Sequence, residues 1–190
     1  VSATNQSQGL VPVSHPSGTI RVDNLQNGIV SAFGTSIFTG TPVKRDTNGT
    51  IIPCASGVDV CIGVFQGAEW SSNGKRFVLP YWPAGQTYDT NDPIGNPMIA
   101  KFTSDKEITY EGQASGPVAQ AANGEGINLL NASQGSTFSG FSTQLLNATT
   151  TGATLATFQI TNLAPYEDNA WGDAFTKLRV RISNYQGQVA

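Results

Sequence analysis

Short runs with an apolar residue at every second position, broken by turn residues, recur along this chain and predict strands with one buried face. In residues 58–64 the face is Val58, Val60, Ile62 and Val64. Near the end, Leu178, Val180 and Ile182 oppose Lys177, Arg179 and Arg181, and before them Ala156, Phe158 and Ile160 oppose Leu155, Thr157 and Gln159. Residues 98–103, 107–111 and 126–131 also read as strands. Two Asn-Gly pairs, Asn48-Gly49 and Asn73-Gly74, tolerate positive φ and predict hairpins returning along residues 50–54 and 75–79. Residues 112–126 read as a long loop with at most one helical turn, and 164–173 as another loop.

The first 27 residues break the pattern. They are polar, carry Pro12 and Pro16 and hold no sustained period, so alone they cannot offset the entropy of being ordered. The expectation is an extended arm over 1–27, mobile until it meets a partner, with residues 19–22 available as an added strand. An all-β fold follows: a small β-barrel or sandwich over 28–97 and a second β-rich domain over 98–190.

Composition narrows the function classes. Hydrophobic residues are 38% of the 190, and no run reaches the roughly 18–20 apolar residues that a transmembrane helix needs. A net charge of −3 argues against a nucleic-acid partner bound by phosphate neutralisation. Charged residues are only 12%, while Ser, Thr and Asn number 50, so the surface is polar but little charged. No basic start followed by an apolar stretch marks a secretory signal. Asn-x-Ser/Thr sequons at Asn5, Asn48, Asn131 and Asn147 are expected by chance in so Asn- and Thr-rich a chain.

Candidate chemistry is sparse. The lone histidine, His15, lies in the arm, where nothing holds an imidazole against a nucleophile. One histidine and two cysteines give no familiar zinc spacing. Cys54 and Cys61 are not a Cys-x-x-Cys pair; they read as small buried hydrophobes, with a bridge between them left open in an oxidising compartment. Asp89 with Asp92, and Glu167 with Asp168 and Asp173, lack the spacing of a calcium loop and read as turn carboxylates. No cofactor is expected. Trp70, Trp82 and Trp171 stand beside polar turns, where they suit a sugar-stacking platform, an intersubunit anchor or a barrel cap.

Gly40-Thr41-Pro42-Val43, then Gly49-Thr50-Ile51-Ile52-Pro53, then Ile62-Gly63-Val64 resemble a pattern in the head decoration, or cement, proteins of tailed bacteriophages. The likeness continues through residues 97–102, Gly124 to Leu129, 169–173 and 178–182, covering most of 34–185. It implies a non-enzymatic, β-rich virion protein, made in the bacterial host cytoplasm. Such a protein sits on the outer capsid surface as a homotrimer at local three-fold axes and stabilises the expanded shell, with the major capsid protein as partner and neither nucleic acid nor membrane. The contact residues expected on that reading are Leu10, Val11, Val13, Ile20 and Val22 of the arm, with Trp70, Trp82 and Trp171. Deleting 1–27 is then expected to leave a folded protein unable to bind. The alternative is a carbohydrate-binding or adhesion module using the tryptophans. A glycan hydrolase stands third, with no carboxylate pair to name for it.

Overall fold

Both Asn-Gly pairs turn hairpins. In the computed structural model, which describes residues 8–90, 97–131 and 133–187, Pro42–Arg45 (β4) returns into Ile51–Pro53 (β5). Asp46 Oδ1 holds that turn by accepting from the N–H groups of Asn48 at 3.0 Å and Thr50 at 2.9 Å. Gly63–Ser72 (β6) returns into Lys75–Leu79 (β7), with Ser72 opposite Lys75. Asn73 and Gly74 adopt φ of 52° and 70°, the left-handed values such a turn requires.

The described residues are all-β apart from two single 3-10 turns, Gln120–Ala122 and Ala148–Thr150. Asp23–Gln26 (β2) and Ile99–Thr103 (β9) complete a first sheet in the order β2-β9-β6-β4-β5, with β7 also on β6. Its edges approach each other, since Ile51 N–H donates to Gly28 O at 2.7 Å just past β2. Ile37–Phe38 (β3) pairs with Tyr81–Trp82 (β8), and Ile37, Val43, Ile51, Phe65, Trp70, Trp82 and Phe102 fill the core of this half.

The second sheet has the order β1-β10-β14-β13-β11-β12. It comprises Val11–Ser14 (β1), Thr109–Gln113 (β10), Gly126–Leu129 (β11), Leu146–Asn147 (β12), Phe158–Leu163 (β13) and Lys177–Ile182 (β14). Every neighbouring pair is antiparallel. Leu178, Val180 and Ile182 face inward, as their alternation predicts. They pack with Leu10, Ile108, Tyr110, Ile127 and Phe158, and with Cys54, Cys61 and Val64 from the first half. The two cores therefore meet at β6, where Val64 enters one and Phe65 the other. Gly63 permits the contact: a Cβ there would lie 1.5 Å from Thr103 O, so only glycine lets β6 and β9 come this close.

Several expectations change. The two sheets do not divide at residue 97, because β9 belongs to the first and β1 to the second. Residues 8–27 are built in rather than trailing as an arm: β1 pairs with β10, β2 pairs with β9, and Leu10 is 3% exposed. β2 has no apolar alternation, and that of Val11 and Val13 is short and broken by Pro12, so only tertiary pairing reveals the two strands. The added strand lies at Asp23–Gln26, not 19–22. Val58 and Val60 are exposed, and regular pairing begins only at Gly63. Cys54 and Cys61 are free and buried. Burial, with Cys61 as neighbour, pushes the Cys54 thiol well above its usual range.

Candidate functional site

Residues 136–140, Ser-Thr-Phe-Ser-Gly, form a tight turn that leaves Phe138 fully exposed. Gly140 N–H donates to Ser136 O at 2.7 Å, and Ser136 N–H donates to Phe141 O at 3.0 Å. Gly140 adopts φ +75°, and a Cβ there would press into the Pro80 ring, so the glycine seats the turn against β8. Thr39 N–H donates to Gly140 O at 3.0 Å and Ser142 N–H to Thr39 O at 2.8 Å. Ser133 Oγ donates to Ser36 O at 2.9 Å. Phe38 stacks on Tyr81, with centroids 5.7 Å apart, in the strand pair that supports the turn. This loop of the second half is thereby bolted to the first, and it presents an uncovered phenyl ring among Ser and Thr hydroxyls. Phe141 and Leu130, from the same loop, are also exposed. A phenyl side chain has only two rotatable bonds, and the turn that carries it is already hydrogen-bonded, which suits it as an anchor for an apolar pocket on a partner.

The eight residues predicted as contacts do not form one surface. Val11 and Val22 are exposed and Val13 half-buried. Leu10 belongs to the second core, with half-buried Ile20 and Trp171 packed against it. Trp70 and Trp82 are 1% and 0% exposed and meet edge to face at 5.0 Å. Among the described residues neither indole N–H has a hydrogen-bond partner, and neither buried ring can stack a sugar. A tryptophan beside a turn reads the same in sequence whether its strand points it in or out. Phe138 was missed, although its signal is present: an aromatic flanked on both sides by Ser, Thr and Gly, with no apolar residue at i±2 to share a face.

His15 is held rather than solvated. Its Nε2 lies 3.1 Å from Asp105 Oδ2 and its Nδ1 2.6 Å from Ser17 Oγ, a Ser-His-Asp row. The two N–H groups next to the serine hydroxyl are already used, since Ser17 N–H donates to His15 Nδ1 and Gly18 N–H to His15 O. The row works as a clamp joining the β1–β2 connection to the β9–β10 turn. Ser104 Oγ donating to Asp23, and Tyr185 OH donating to Ser104 O, fasten the same corner. Of the acidic pairs, Asp173 and Asp89 accept from turn N–H groups, and Asp92 lies outside the described residues. Among the described residues no group of three His, Cys, Asp or Glu is placed to hold a metal, and no helix is long and apolar enough to cross a membrane.

No family model matches the chain, and no curated protein or solved structure matches it either.

Proposed function

We propose that this protein is a non-enzymatic structural component of a tailed-phage virion. It fastens to the outside of the capsid and stabilises the expanded shell, as a homotrimer at local three-fold axes with the major capsid protein as partner. The sequence resemblance to decoration proteins motivates the reading, and the fully exposed Phe138 on its hydrogen-bonded turn is the structural observation that carries it. Some residues behind the resemblance lie inside the fold: Val43, Ile51 and Val64 are 0% exposed. Buried residues serve the scaffold, and on this reading the adhesive surface lies elsewhere. On this reading Phe138 fills an apolar pocket on a shell subunit while the surrounding hydroxyls bond at the rim. Three copies on one body convert modest single contacts into avidity, and binding only the expanded shell stabilises that state by linkage.

Cosedimentation with emptied, expanded capsids of the phage that encodes the chain tests it. The wild-type protein is expected to saturate the shell, and Phe138→Ser to weaken binding by about 2 kcal/mol, roughly thirty-fold. Wild-type binding by Phe138→Ser would reject the anchor, and failure of the unaltered protein to sediment would reject the capsid reading.

A further inference from the structure

On the outward face of the second sheet, β10 runs between β1 and β14. Its outward residues Glu111 and Gln113 floor a pocket of about 210 Å³. Val11 and Val13 of β1, with Gln8 and Gly9 before it, form one flank, and Lys177 of β14 with Tyr166 of the loop preceding β14 forms the other. The register is fixed: Val11 stands opposite Glu111, Glu111 opposite Arg179, and Gln113 opposite Lys177. Two strand spacings separate the flanks, about 10 Å, which admits one ring between them.

The charges in this pocket do not cancel. Glu111 is answered twice, by Arg179 Nε at 3.0 Å and by the Tyr166 hydroxyl, which donates at 2.6 Å. Lys177 enters none of the ion pairs among the described residues. Its ammonium instead lies 5.1 Å from the Tyr166 ring centroid. The pocket therefore offers the Lys177 ammonium, which no carboxylate among the described residues pairs, with apolar surface from Val11 and Val13 and the polar edge of Glu111.

We propose that this pocket binds an acidic monosaccharide, a pyranose ring bearing one carboxylate, with the carboxylate at Lys177, the apolar C–H face against Val11 and Val13, and the hydroxyls toward Glu111. A pyranose is amphipathic in just this sense, with apolar faces and a polar rim. The volume is below the roughly 300 Å³ at which drug-sized pockets begin, so it suits a single ring rather than a stretch of peptide. The assignment is independent of the capsid reading. It also differs from the tryptophan platform, since none of its lining residues is a tryptophan.

Titration of the full chain with glucuronate, followed by amide chemical shifts, tests it. Saturable shifts at residues 111–113, 166 and 177 are expected, with a dissociation constant on the order of 1 mM. Lys177→Met and Tyr166→Ala, each verified as folded by its spectrum, should weaken binding about tenfold. Glucose, which keeps the ring and lacks the carboxylate, should bind about tenfold more weakly. Equal binding of glucose would overturn the charge assignment, and acetate or a short peptide binding as well as glucuronate would overturn the sugar. Shifts that never saturate, or that survive both substitutions unchanged, would remove the site.

Discussion

Asp59 shows how one side chain organises an irregular segment. Lys44 Nζ lies 3.0 Å from its Oδ1 and 2.9 Å from its Oδ2, Ala55 N–H donates to Oδ2 at 2.7 Å, and Val60 N–H donates to Oδ1 at 2.8 Å. Its backbone reaches the other half of the molecule, its N–H donating to Thr157 Oγ1 and its carbonyl accepting from Asn184 Nδ2. These bonds hold residues 54–61 as a loop and turn Val58 and Val60 outward, against their alternation. Burial pushes the Asp59 carboxyl up, but the Lys44 ammonium and the two N–H donors outweigh it and hold the group below the usual carboxylate range. Because the folded group titrates below its unfolded value of about 4, its stabilisation is complete above that pH and is lost as the pH falls through the folded value. Asp59→Asn is expected to lower stability by about 1–3 kcal/mol at neutral pH, with the gap to wild type closing in acid. Urea midpoints measured from neutral to acid pH check this, and a gap that stays constant into acid would refute the linkage.

At the scale of elements, β1 decides whether the N-terminal segment is part of the fold. Leu10 N–H donates to Gly40 O at 2.8 Å, its side chain enters the second core, and Val11, Pro12 and Ser14 pair with β10 around a bulge at Val13. Gly9 makes the entry possible: it adopts φ +69°, and a Cβ there would sit 2.5 Å from Gly40 O. The strand thus straps one half to the other. Leu10→Ala should cost about 3 kcal/mol through the cavity it leaves, read as a lowered urea midpoint. Removing residues 1–26, which takes β2 as well, should abolish cooperative unfolding. A truncated protein that unfolds cooperatively at the wild-type midpoint would show these strands to be appended rather than integral.

Across the whole molecule the two sheets share structure. Thr103 of β9 donates through Oγ1 to Val64 O at 3.3 Å and lies 2.9 Å from Tyr110 OH of β10, a buried polar link between the sheets. Burial pushes the Tyr110 phenol far above its usual range, so it stays protonated and able to donate. Tyr110→Phe should destabilise β6 and β14 alike, by about 1 kcal/mol, as measured by amide hydrogen exchange; an effect confined to one sheet would mean that they unfold separately. By itself the sequence determined the all-β class, both Asn-Gly hairpins and the inward face of β14, because these depend on local turn chemistry and on period-two burial within one strand. Tertiary structure alone decided the rest. The strands of residues 8–27, the burial of Trp70 and Trp82, the exposure of Phe138 and the gathering of Val11, Glu111, Tyr166 and Lys177 around one pocket all depend on which distant strands pair. That pairing is fixed by long-range hydrogen bonds and core packing, which no local pattern encodes.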